Sequence, residues 1–224
     1  MGLDIYVGSL TRYFSGDWET ADAKQGDALR LDDEDEDETD DDDDETDPAD
    51  VRQEVLEWRL GLNAALREHL KTPLDWNEDP DSPYFTDTPS GDCFGSLLLW
   101  AAYAENGGSK PPARVVKKWY NDSVFKRSTG ADSKTLFPNL MYACEWWLPC
   151  ELPGVMEVDF QDDEPFNLGS SIQLKQELEQ LNLMTWKASP ATLSRWHQQG
   201  TSARSSLEEN ARFAMAVLTD LTEK

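Results

Sequence analysis

Gly91-Asp92-Cys93-Phe94-Gly95 has the form G-x-C-x-G, in which a thiolate nucleophile could sit on a sharp turn, with His197 as base and a downstream Asp to orient the imidazole. Such an elbow needs a buried strand before it, and the preceding "FTDTPS" is not one. Cys93 reads better as a small residue in the first turn of a core helix. Asp75, Asn77, Asp79 and Asp81 repeat the alternate spacing of a calcium loop, but Pro80 stands where that loop needs Gly and Thr86 where it needs a bidentate Glu. A proline turn with Asx hydrogen bonds fits those residues better. His69 and His197 have no ligand-spaced neighbours, so the sequence implies no metal site and no cofactor.

A more promising set combines aromatic rings with carboxylates: Asp4, Tyr6, Tyr13, Asp17 and Trp18 near the N-terminus, Asp75, Trp76, Tyr84, Phe85 and Asp87 in a proline-rich stretch, and Glu145, Trp146 and Trp147 further on. Rings beside carboxylates form pockets for sugars, amines and other small polar molecules, and the same rings also fill cores. For a hydrolase, two of Asp4, Asp17, Asp75, Asp87 and Glu145 would supply the acid and base; sequence spacing does not choose the pair, so the catalytic residues stay unassigned.

The most conspicuous feature is the run Asp32–Asp47, which holds 14 acidic and no basic residues and leaves −11 of the net charge of −25 to the rest of the chain. Without a Gly or apolar anchors it has no fixed ligand geometry, and its self-repulsion opposes compaction. The sequence therefore predicts a solvated, disordered insertion over 22–47, with a basic protein as the partner it could attract. The overall charge disfavours nucleic acid and the membrane surface. Three cysteines without a CxxC spacing, and an N-terminus lacking the basic start and apolar run of a signal peptide, predict a cytoplasmic protein with reduced thiols.

These residues need elements to hold them. "LDIYV" alternates like a strand, and a second strand is expected over 11–18. Asp47 and Pro48 should start an amphipathic helix running to about Lys71, with Val51, Val55, Trp58, Leu62 and Leu66 as its stripe. Residues 72–92 read as a long loop. Ser90 or Asp92 should cap a very apolar helix over 93–105, followed by a short basic helix within "KPPARVVKKWYND". A helix is expected over 138–147, a strand in "VMEVDF", and three last helices opened by Ser170 with Gln173, by Ser189 with Pro190, and by Ser206 with Glu209. The sum is an α+β fold: one mainly helical domain over 1–224, with six to seven helices and a small N-terminal β element.

The words "MGLDIYVGSLTRYFSGDWET", "PYFTD" followed by "CFGSLLLWAA", and "EWWLP" followed by "LKQELEQLN" resemble a family of uncharacterised bacterial proteins that begin in this way. The resemblance spans most of the chain and carries no activity with it. The leading expectation is a protein that binds a small polar ligand or a protein partner through its aromatic and acidic surface. A carboxylate-dependent hydrolase, and an acidic immunity or nucleic-acid-mimic protein, are the alternatives.

Overall fold

The computed structural model describes residues 5–16, 47–107, 110–130, 132–159, 165–202 and 204–224. In chain order these form β1 (Ile5–Val7), α1 (Leu10–Phe14), α2 (Pro48–Ala65), β2 (Phe85–Asp87), α3 (Gly91–Asn106), a single 3-10 turn (Trp119–Asn121), α4 (Ser123–Thr129), α5 (Pro138–Met141), β3 (Trp146–Leu148), β4 (Met156–Val158), β5 (Phe166–Ser170), α6 (Ser171–Met184), α7 (Pro190–Gln199) and α8 (Leu207–Leu221). The fold is α+β and mainly helical, as the periodicities predict. Asp4, Asp17, Trp18 and the acidic stretch up to residue 46 lie outside the described residues. No described helix is long and apolar enough to cross a membrane.

Capping residues explain where the long helices begin. The Asp47 carboxylate accepts from the Ala49 amide ahead of Pro48 at the first position of α2. Ser90 caps α3 by accepting from the Cys93 amide, and Ser206 and Glu209 form a complete capping box at α8. At α6 half of the expected box exists: Ser170 accepts from the Gln173 amide, but the Gln173 side chain donates to the Leu152 carbonyl instead of returning to the cap.

Two cores meet at a three-stranded sheet. The larger core surrounds α3, whose Leu97, Leu99 and Ala101 have no exposed surface, with α6 and α8 packed against it. The smaller joins Leu62 and Leu66 of α2 to Leu148, Val158, Phe166 and Leu168 of the sheet. Strand β5 is central in the order β3-β5-β4, parallel to β3 and antiparallel to β4. Because successive side chains of a strand point to opposite faces, Trp146 joins the smaller core while Trp147 packs on the larger one. Gly169, opposite Trp147, is required there: a Cβ would lie 2.8 Å from Cys144 Sγ and 2.9 Å from the Trp147 ring.

Several local expectations are corrected. Where the second strand over 11–18 falls on described residues, up to 16, the chain instead forms helix α1, with Ser9 as its cap and Thr11 fully buried. Helix α2 ends at Ala65, short of Lys71, and the 72–92 loop contains β2, which pairs antiparallel with β1. No helix forms over 110–118, where Pro111 and Pro112 lack amide donors; the nearby helix is α4, capped by Asp122, whose carboxylate accepts from Val124 and Phe125. The helix expected over 138–147 stops at Met141 because Ala143 adopts a left-handed φ of 49°, and the chain then extends into β3. Strand β5 has no counterpart among the expected elements.

Candidate functional site

The structure gathers part of the predicted aromatic set into one packed cluster. Tyr6 on β1 lies 5.2 Å from Tyr13 on α1 and 6.0 Å from Tyr84, ring centroid to centroid, and Tyr13 stands edge-on to Trp146 at 6.0 Å, which in turn meets Trp58. Beneath them is Glu78, only 3% exposed. The Thr11 amide and hydroxyl donate to one of its oxygens at 2.8 and 3.0 Å, and the Trp76 indole N–H donates to the other. Both oxygens are therefore committed to fastening α1 to the loop. Burial pushes the Tyr6 phenol up to about 12, with the charge of Glu78 adding to the rise and Arg12 opposing it. Tyr6 is a neutral donor, to the Ser9 carbonyl, and no base at ordinary pH.

Asp75 and Trp76 are the members of the predicted set that line a cavity. A shallow cavity of about 410 Å³ lies between α2 and the loop, lined by Arg52, Leu56, Arg59, Asp75, Trp76 and their neighbours. Arg59 is already engaged there: it donates to the Trp76 carbonyl, lies over the Trp76 ring at 5.4 Å and sits 3.6 Å from Asp75. Asn77 and Asp79 use their side-chain oxygens on the amides of Asp79 and Asp81, the Asx turns expected of this stretch. Asp87 is elsewhere, bonded to His197 Nε2 at 2.8 Å. Glu145 is exposed, and its amide donates to the Asn167 carbonyl. Among the described residues, no three His, Cys, Asp or Glu side chains are grouped to hold a metal ion.

The thiols are poorly placed for nucleophilic chemistry. Cys93 has no exposed surface, and its Sγ is 3.1 Å from Ser90 Oγ and 3.4 Å from both Thr201 Oγ1 and Asn210 Oδ1, while His197 is held by Asp87. Burial, helped by the charge of Glu177, pushes the Cys144 thiol up to about 12, and burial also raises Cys150. In the native protein at neutral pH, none of the three should react with Ellman's reagent as fast as free cysteine, Cys150 should lead, and denaturant should release all three. A fast native equivalent at Cys93 would restore the nucleophile reading.

A larger groove, about 530 Å³, lies on the other side of the sheet and contains none of the predicted site residues. Its aromatic wall comes from α3 and α4, each contributing a pair at i and i+4 that shares one helix face: Phe94 with Leu98, and Phe125 with Thr129. Trp119 and Tyr120 of the 3-10 turn complete that wall. Trp119 is seated by Gly95, where a Cβ would come 2.2 Å from Trp119 Cδ1 and 2.3 Å from Nε1. A glycine inside an apolar helix costs about 1 kcal/mol relative to alanine, so Gly95 gives up helix stability to admit the indole. This glycine was the one sequence signal of the groove, although in the G-x-C-x-G pattern it suggests a different chemistry.

The opposite wall is polar. Glu157 of β4 and Asn167 of β5 are register partners, so their side chains emerge as neighbours on one face of the sheet. Asn167 Nδ2 donates to the Tyr142 carbonyl at 3.0 Å. That bond holds the segment in which Ala143 takes its left-handed turn, so Tyr142 and Ala143 form the groove's end wall. Comparison with protein-family models, with curated proteins and with solved structures gave no match, so the site's chemistry rests on its own geometry.

Proposed function

We propose that this protein binds a small amphipathic molecule in the groove between the Phe94–Trp119–Phe125 wall and the Glu157–Asn167 edge of the sheet. The observation that carries this reading is the groove itself: about 530 Å³, within the range of small-molecule sites, with an apolar aromatic body and a few polar groups at one side. Its size suits a compound with one ring system or a short aliphatic body. The cluster around Tyr6, Tyr13 and Trp146 docks β1 and α1 against α2 and the sheet.

The hydrolase alternative draws less support from the geometry. Glu157 is the one carboxylate among the described lining residues of the groove, and in the smaller cavity, which Asp75 and Glu78 both line, Glu78 is buried and held by Thr11 and Trp76. The test is a fragment screen by ligand-observed NMR on the full chain and on Val155→Trp, which fills the groove from its half-exposed rim. Fragments with an apolar body should bind the native protein and lose their signal in the variant, whose melting temperature stays near native. Hits that ignore the substitution, or no hits, would remove the proposal.

A further inference from the structure

The geometry points to a primary or secondary ammonium compound with an apolar body as the ligand class of the groove, an inference that rests on the groove being a binding site. Glu157 is the one charged side chain among the described lining residues, and no Lys or Arg balances it there. Its neighbour Asn167 has its amide nitrogen on the Tyr142 carbonyl, and its Oδ1 has no partner among the described residues. The polar edge therefore offers acceptors: a carboxylate and an amide oxygen side by side on one sheet face.

Two of the lining hydroxyls already have partners, and the remaining donors, the Tyr120 hydroxyl and the Trp119 indole N–H, belong to the aromatic wall and not to the polar edge. Thr129 donates to the Phe125 carbonyl at 3.1 Å, and Tyr142 Oη is 3.3 Å from Ser133 Oγ. An anion would face the Glu157 carboxylate with no Lys or Arg to hold it, and a neutral ether has no N–H to give the two acceptors. An ammonium with N–H groups satisfies both acceptors at once, and the faces of Trp119, Tyr120 and Phe125 attract positive charge as well as apolar surface. N–H donation to two adjacent acceptors also separates primary and secondary ammonium from quaternary ammonium, which has the charge and no donor.

Four matched probes test this on the full chain: phenethylammonium, its N,N,N-trimethyl derivative, 2-phenylethanol and phenylacetate, each titrated by NMR or calorimetry. Affinity should fall in that order, with phenethylammonium ahead of the alcohol by roughly threefold to tenfold, the range for one exposed ion pair with cation–π support. Glu157→Gln, at an exposed position where the fold should survive, should remove most of that advantage and leave the alcohol unchanged. Raising the salt concentration should narrow the gap in the native protein. If alcohol and ammonium bind equally, or Glu157→Gln leaves the ammonium untouched, the ligand class is wrong while the groove reading stands. If none of the four binds, and the fragment screen is also empty, both fail. If the trimethyl derivative equals the primary amine, charge alone is read and the donor argument is overturned.

Discussion

Replacing Glu177 with alanine is expected to cost about 3 kcal/mol or more, because three buried N–H donors lose their acceptor at about 1–3 kcal/mol each. Glu177 is 7% exposed on α6 and closes the amino end of α5: Asn139 donates to Oε1 through its amide at 3.0 Å and its side chain at 2.7 Å, and the Leu140 amide donates to Oε2 at 3.0 Å. Asn139 passes the constraint on, since its Oδ1 accepts from the Ser170 amide and its carbonyl accepts from the Trp147 indole. One carboxylate thus ties α6, α5, β3 and β5 together, and α5 delivers Met141, Tyr142 and Ala143 to the groove. Urea titration reads the loss; a change under about 1 kcal/mol would mean the α5 turn finds other acceptors.

Glutamine is the sharper probe, because it keeps the shape and turns one acceptor into a donor. Its oxygen can still serve Asn139, but its NH2 then faces the Leu140 N–H, so a smaller loss of about 1–3 kcal/mol is expected for one buried unsatisfied donor. The pH dependence has a definite sign. Burial is the largest influence on Glu177 and raises its pKa above the ordinary carboxylate value, outweighing the three N–H donors that lower it. The folded state then binds this proton more tightly than the unfolded chain, so this group's contribution to stability grows as pH falls through the raised pKa and is complete below the unfolded value. The stability difference between the native protein and Glu177→Gln should therefore move in the native protein's favour on acidification across that window. A difference that is flat with pH would contradict the raised pKa.

The parts of the fold that were legible in the sequence are those governed by local chemistry. Asp47-Pro48, Ser189-Pro190 and the Ser206–Glu209 box start helices where their side chains satisfy amides within three residues, and Val51, Val55 and Leu62 of α2, Leu174, Leu178 and Leu181 of α6, and Leu207, Ala211, Ala214, Leu218 and Leu221 of α8 are buried as a helical period requires. What was not legible depends on partners distant in sequence. "EWWLP" is apolar enough for helix or strand, and only the pairing with β5 decides that its two tryptophans serve opposite cores. "FNLGS" has little strand character of its own and becomes the central strand because neighbours pair on both sides. The site divides in the same way. Tyr6, Tyr13, Tyr84 and Trp146 do come together, but as packing, whereas the groove takes Phe94, Trp119, Tyr142, Glu157 and Asn167 from five separate stretches joined only by the tertiary fold.

Gly95→Ala should both destabilise the protein and close the groove, and its sign should reverse when Trp119 is absent. An added methyl would meet Cδ1, Nε1 and Cγ of the indole, at 2.2, 2.3 and 2.7 Å, and the indole cannot simply rotate away, because its ring stands edge-on to Phe125 at 5.0 Å. Overpacking of this kind costs about 1–3 kcal/mol, partly offset by the roughly 1 kcal/mol that alanine gains over glycine inside a helix. In Trp119→Ala the obstacle is gone, so the same Gly95→Ala change should stabilise by up to about 1 kcal/mol. The double-mutant cycle thereby separates steric seating from helix propensity, two effects that a single variant adds together. Ligand titration supplies the functional arm: a displaced indole removes the wall between α3 and α4, so probe affinity should fall in Gly95→Ala even at temperatures where the fold is intact. Stabilisation by Gly95→Ala in both backgrounds would mean that the indole shifts freely, and the groove would then lose the rigid wall on which selective binding depends.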